Sequence, residues 1–302
     1  MFFFKSQKPN GLFYKISQNE QTSYLYASIH RGPADIHVLS DEVFHAFTAA
    51  KVVVFEEFIK TSEEMEQEQS KIRDRIFDWV FENQAASLAP EIKAKLAIIK
   101  QSHEDFTDLA PIESYHVFCE KIANKIELYR QLDQIKFEDH LKQRADELSI
   151  PCAGLENYSD AYCAFLGLGL TRQEQIEVVH HFLPTLDQTN IYEYFKNIVH
   201  TYLARDLERH VSYAFEKFSN PEGIPCVDKY FRLFVTERDI LMASNMEPYL
   251  KEGEAFITIG AAHLPGVIKE LSAKGYTVES IEEGPRTHPI NSVQKRSGCD
   301  LL

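Results

Sequence analysis

Two short apolar runs, one near each end of the chain, constrain the fold more than any other feature. The first, SYLYASI (23–29), is followed by His30; the second, AFITI (255–259), is followed by Gly260, Ala261, Ala262 and His263. Short runs of β-branched and aromatic residues that stop at small or turn-forming residues read as strands. After the second run, Pro265 and Gly266 open an amphipathic stretch, so this end reads as a strand at 255–259, a helix over 265–274 and a strand over 276–281. The N-terminal end has the same character. GLFYKIS (11–17) is a hairpin partner for 23–29, joined by a polar QNEQT loop longer than the tight two-residue kind. Ser40 and Asp41 stand where they cap a helix over EVFHAFTAA, and KVVVFEEF gives a strand, Val52 to Phe55, that meets Glu56 and Glu57. A strand-helix-strand order of this kind favours parallel pairing by a right-handed crossover.

The middle of the chain has a different period. EMEQEQSKIRDRIFDWVFENQ, EIKAKLAIIKQSH and IYEYFKNIVHTYLARDLERHVSYAFEKF have helical spacing of charged and aromatic residues. One interruption, ELSIPCAGLENYS, predicts a turn at Pro151 and a strand from Cys152 to Leu155 closed by Glu156. VTERDILMASNMEPYL predicts a further helix before the last strands. The expected fold is α/β, with a mixed β-sheet core built from the N- and C-terminal segments and a large helical region inserted between them. In domain terms, 1–60 and 236–302 form the core, 150–160 adds a core strand, and 61–149 and 161–235 form the helical region of one composite domain.

In parallel α/β sheets the loops at the carboxyl ends of strands gather along one edge, where sites form. The residues at these ends are His30, Glu56 with Glu57, Glu156 and His263. Singly, each is more often a solvated or capping residue. Together they offer imidazoles and carboxylates, the ligands of a divalent transition metal such as Mn, Co, Zn or Fe with a position left for water. Such a metal lowers the pKa of its water and supplies a nucleophile for hydrolysis. Small residues before each histidine let a ligand approach the backbone.

Charge and cysteine usage narrow the setting. A net charge of -14 with no basic cluster excludes a nucleic-acid partner and disfavours an anionic membrane. Five cysteines with no CxxC pair suggest free thiols and a cytoplasmic setting. No apolar run is long enough for a transmembrane helix, and the opening MFFFKSQKPNG is too short for a signal-peptide core. The chain ends CDLL, so Cys299 stands fourth from the end in the form of a prenylation signal, although Asp300 is acidic where an aliphatic residue is preferred. A lipid there, added in a eukaryotic cytosol, is the one route to a membrane that the sequence offers.

Other signals are set aside. The pairs Glu42/His45, Glu113/His116 and Glu177/His180 have the spacing of di-iron ligands, but 12 histidines among 46 acidic residues make such pairs common by chance. Gly167 and Gly169 lack the third glycine of a dinucleotide loop and read as a turn before a helix capped by Thr171. His180 and His181 read as a half-exposed helix face. Phe77, Trp79 and Phe81 read as core or partner-facing aromatics.

Three blocks taken together resemble the TraB/GumN/Tiki family: SYLYASIHRGPADIHVLSDEVFHAFTAAKVVVFEE, RADELSIPCAGLENYSD, and ERDILMASNMEPYLKEGEAFITIGAAHLPGVIKELSAKGYTVESI. They match its opening strand with a Gly-x-x-His motif and a strand ending in Glu, its middle Gly-Leu-Glu segment, and its closing arginine-bearing helix with a second Gly-x-x-His. The resemblance implies a metal-dependent hydrolase, a peptidase in the family's manner, acting on a peptide, a protein or a small ester; the wider superfamily has erythromycin-esterase-like and haem-binding relatives. By position it implies His30, Glu56 and His263 as metal ligands, Glu156 as a further ligand or general base, and Arg238 as the group that polarises the scissile carbonyl or holds a carboxylate. Arg238 has an alternative reading as a structural ion pair with Glu57 or Asp239. The first motif departs from the pattern, with Ala27 in the glycine position, and its methyl is either accommodated or crowds the site. The alternatives are a metal-independent esterase-like hydrolase with a histidine base, and a binding or adaptor protein that keeps the fold.

Overall fold

A computed structural model describes residues 11–30, 32–58, 61–83, 110–123, 136–185 and 188–290. The helical stretch expected over EIKAKLAIIKQSH and the candidate lipid site Cys299 lie outside the described residues. The architecture is α/β, with helices between the strands contributed by the two ends of the chain.

The N-terminal hairpin pairs β1 (Phe13–Gln18) with β2 (Gln21–Ser28) in antiparallel register. Its turn is the tight two-residue kind, not the longer loop expected: Asn19 and Glu20 both take positive φ, 48° and 68°. That is the backbone a type I′ hairpin requires. Glu20 is an unusual residue for it, so the turn was not legible as one. After β3 (Val38–Ser40) comes α1 (Asp41–Thr48), capped as expected by Ser40, whose Oγ accepts from the Val43 N–H at 3.4 Å. Next is β4 (Val52–Glu57), which takes Glu56 and Glu57 into the strand itself.

The helical region holds α2 (Ser62–Asn83), α3 (Pro111–Ala123) and α4 (Phe137–Glu147) before β5 (Cys152–Glu156). It resumes with α5 (Tyr158–Phe165), α6 (Arg172–Phe182), α7 (Gln188–Leu203), α8 (Leu207–Phe215) and α9 (Pro225–Phe231). Gly167 forms the expected turn at φ 65°, and Thr171 with Glu174 makes a capping box for α6. The long helical stretch expected over 191–218 is broken between α7 and α8. There Arg205 takes φ 57° and Asp206 caps the second helix through the Arg209 N–H at 3.1 Å. A second apolar cluster, with Tyr115, Val179, Phe182 and Tyr230, joins these helices, and Trp79 is buried with its indole N–H on the Leu170 carbonyl at 2.7 Å.

A π-helical turn (Arg232–Thr236) leads into α10 (Glu237–Glu252), then β6 (Ala255–Gly260), α11 (Leu264–Ala273) and β7 (Thr277–Ser280). The last strand, β8 (Arg286–Pro289), pairs with β3 in a small second sheet; such short strands are too brief for a period-2 signal.

The main sheet has the order β5-β4-β6-β2-β1-β7. The four strands β5, β4, β6 and β2 are mutually parallel, while β1 runs against β2 and β7. Parallel strands buried on both faces read as continuous apolar runs, and Val53, Val54, Phe256, Ile257 and Ile259 are all fully buried. The consequence for function is positional: Ser28, Glu57, Glu156 and Gly260 end four parallel strands at the same edge of the sheet.

Behind this core, His210 on α8 is buried, with Nδ1 3.2 Å from the Ile198 carbonyl. Burial depresses its imidazole from about 6.5 to about 4. The unfolded chain therefore takes up a proton below about pH 6.5 that the folded chain refuses until about pH 4. Stability from this residue is complete above pH 6.5 and falls as pH drops through that window, by roughly 3 kcal/mol in all. Denaturant midpoints measured at pH 7 and pH 4.5 are expected to diverge, and His210→Gln to narrow the gap; an unchanged gap would count against this assignment.

Candidate active site

The strand-edge residues meet a helix start. Arg238 and Asp239 lie in the first turn of α10, which packs its Asn245 side chain onto the Leu155 carbonyl of β5 at 2.6 Å. Arg238 is buried and reaches across the edge. Its Nη2 donates to Glu56 Oε1 at 2.6 Å and also to Glu156 Oε1, and its Nε donates to both Glu156 oxygens at 3.1 Å. The partners are Glu56 and Glu156, not the Glu57 or Asp239 considered from sequence.

His263 completes the group. Arg238 Nη1 lies 3.3 Å from His263 Nε2, and His263 Nδ1 lies 2.7 Å from Asp239 Oδ1. A guanidinium only donates, so Nε2 accepts and the proton of a neutral ring sits on Nδ1, where it is donated to Asp239. The imidazole is thereby held in one tautomer by a buried carboxylate, with its lone pair facing Arg238 and, at 3.8 Å, Glu56 Oε1.

The glycines of the closing motif have a physical reason to be small. Gly260 gives its N–H to Glu56 Oε2 at 2.7 Å, and a Cβ there would stand 3.2 Å from the same oxygen. A Cβ on Gly266 would overlap the Asp239 carboxylate that orients His263.

Among the described residues, Glu56, Glu57 and Glu156 form a group whose carboxylate oxygens lie within 4.8 Å of one another. Burial pushes the Glu56 carboxyl up, but His263 and Arg238 outweigh it and hold it at about 2. Burial first and the charge of Glu56 second push Glu57 up to about 7. Burial also leaves Glu156 and Asp239 raised, despite the pull of Arg238 and His263 respectively. Carboxylates outnumber their buried cationic partners here.

His30 departs from the expected position. It stands at the same edge, but its side chain is 55% exposed and its Nδ1 lies 3.2 Å from Glu138 Oε1 on α4. Glu138 is held in turn by the Ser28 hydroxyl at 2.6 Å. The structure thus brings together Glu56, Glu156, Arg238 and His263, and leaves His30 exposed outside that group, paired with a carboxylate that sequence reasoning missed. Glu57 and Asp239 belong to the group as well. Each stood in the sequence beside a chosen residue, and only tertiary packing turned them inward.

A family model for the TraB/PrgY/gumN family matches residues 12–280. The chain belongs to the TraB/PrgY/gumN family. No curated protein and no solved structure matches it. In this TraB/PrgY/gumN member the methyl of Ala27 is accommodated in the core. Ala27 pairs with Ile259 and Ser28 with Gly260, so successive side chains point to opposite faces of the sheet. Ser28 faces Glu138, whereas Ala27 is fully buried in the apolar core.

Two cavities flank the group. One, of about 480 Å³, lies beside Arg238 and is lined by Trp79, Leu233 and Leu241 among others. The other, of about 570 Å³, has Glu57 and Glu138 in its wall. Among the described residues no helix is long and apolar enough to cross a membrane.

Proposed function

We propose that the protein is a metal-dependent hydrolase, with peptides as its substrates. The observation that carries this reading is the surplus of carboxylate at the sheet edge: Glu56, Glu57, Glu156 and Asp239 face one guanidinium and one imidazole. Buried charge of one sign needs a counter-charge, and a divalent cation supplies one. The donor set fits such an ion. His263 has its Nε2 lone pair turned inward and its Nδ1 fixed by a carboxylate, the arrangement that orients metal-bound histidines. Glu56, Glu156 and His263 would hold the cation. The set is richer in oxygen than the two-imidazole site expected from sequence, which moves Mn to the front of Mn, Co, Zn and Fe. When bound, the ion supplies a Lewis acid and a water of lowered pKa.

The chain's own groups do the rest. Glu57 lines the larger cavity, and a carboxyl near pH 7 suits a group that takes a proton from water and returns it to the leaving amine. Arg238, whose N–H groups go to Glu56, Glu156, His263 and the Phe234 carbonyl, holds the carboxylates in position, and its positive charge favours the oxyanion that forms on the scissile carbonyl. Asp239 keeps His263 in one tautomer. A second reading rests on Arg238 itself: its Nη2 already bridges Glu56 and Glu156, and this favours a metal-independent hydrolase with the Asp239-held His263 as base.

Metal analysis of protein purified without chelator, alongside hydrolysis of a mixed peptide library, separates the two. The metal reading expects bound ion in the wild type, loss of hydrolysis with chelator, and a Glu57→Gln variant that keeps the ion but not the activity. Hydrolysis that continues undiminished after the metal is stripped selects the second reading.

A further inference from the structure

The cavity of about 570 Å³ is of a size that holds a small ligand or a few peptide residues, within the roughly 300–1,000 Å³ usual for such sites. Part of its lining is apolar and aromatic: Phe55 and Phe58 stack with centroids 5.7 Å apart, and Met65 and Tyr158 line it too. One wall is Glu57, which joins it to the carboxylate group described above. Lys136 and Lys142 line it too.

The position of these lysines is fixed by the fold. Lys136 immediately precedes α4, and the Phe137 N–H at the start of that helix donates to the His30 carbonyl at 3.0 Å. The first turn of α4 is therefore tied to the end of β2. The Lys142 ammonium lies 4.9 Å from the centroid of the Phe58 ring. Both lysines are half-buried.

The carboxylates around the same cavity differ in kind. Glu138 is engaged by His30 and Ser28, whereas Glu66 and Asp139 are exposed at the rim, where water screens them. Lys136 has no carboxylate within ion-pair distance among the described residues. Its charge is felt at both Glu57 and His30. The cleft thus lines a cation, aromatic rings and Glu57 of the reacting group around one space. That is a surface for an apolar residue bearing a carboxylate.

We propose that this cleft binds the carboxyl-terminal residue of a peptide, with its free carboxylate on Lys136 and its side chain on the aromatic rings. The inference rests on the hydrolase reading for its chemistry. Water then adds across the last peptide bond, the hydroxyl going to the acyl carbon and the proton to the amine nitrogen, and one amino acid is released. An amidated or internal segment lacks the anion that Lys136 recognises.

The probes are N-acetyl-Ala-Phe, its C-terminal amide, and phenylacetate. Calorimetry on Glu57→Gln protein measures binding with turnover blocked, and release of phenylalanine is followed separately on the wild type. The acid is expected to bind on the order of tenfold tighter than the amide, the scale of one charge-assisted hydrogen bond. Lys136→Met should erase that preference and Lys136→Arg restore it. Equal binding of acid and amide, or a preference that survives in Lys136→Met, overturns the proposal. Phenylacetate binding as tightly as the peptide overturns its peptide part. A clear acid preference with no release of phenylalanine supports the anchor and tells instead against the hydrolase reading.

Discussion

Arg238→Met is expected to destabilise the fold by about 3–5 kcal/mol, the usual cost of removing one partner from a buried ion pair. Glu56 and Glu156 are both buried, and Arg238 is their shared donor. Without it, two buried carboxylates are left facing each other, with the His263 imidazole as the remaining neighbour of Glu56. In a thermal scan this is a fall of roughly 10 °C in the midpoint. Glu156→Gln added to Arg238→Met should recover part of the loss, because it removes one of the stranded charges. A change below about 1 kcal/mol, typical of an exposed pair, would show that the guanidinium is solvated in solution and that the group is looser than described.

His263→Ala is expected to reduce hydrolysis by roughly 10²–10⁴-fold, the range associated with losing a positioned acid-base group, and on the metal reading to empty the site of its ion. His30→Ala should do far less. The two histidines end adjacent parallel strands, yet one is buried between Asp239 and Arg238 while the other is half in solvent against Glu138. Steady-state rates and metal content for the two variants, side by side, test that asymmetry. Equal losses in both would restore His30 to the reacting group, in the symmetric arrangement expected from the motifs.

The contrast between those histidines marks the boundary of what was legible. Strands that stop at Glu56, Glu156 and Gly260 announce themselves by composition, and parallel topology then forces their ends to one edge. That is why Glu56, Glu156 and His263 were found together. Arg238 was found through the family pattern. Side-chain direction beyond the strand end is another matter. His30 turns to Glu138 because α4 is tied to the His30 carbonyl, and nothing local to either residue encodes that contact. Asp239 binds His263 because α10 packs beside α11, again a tertiary fact. Positive-φ residues such as Glu20 and Arg205 hide turns in sequences that look continuous. The Ala27 departure shows the reverse: a change that seems placed to matter in a motif is packed into the apolar core.

Strand β6 lies at the centre of the parallel array, hydrogen-bonded on one side to β4 and on the other to β2, yet it is the last of the four to be made. On a ribosome, β2 and β4 emerge early and then wait for roughly 200 further residues, about 10–40 s at ordinary rates of synthesis. Throughout that interval their inner edges have no native neighbour, and they present open backbone donors and acceptors of the kind that invite pairing with other chains. The helices made in the meantime can fold locally, but the sheet cannot close. The nascent chain is therefore a client for protection until β6 arrives. The same timing keeps it harmless: Gly260 and His263 arrive with that last piece, so no incomplete chain carries an assembled site.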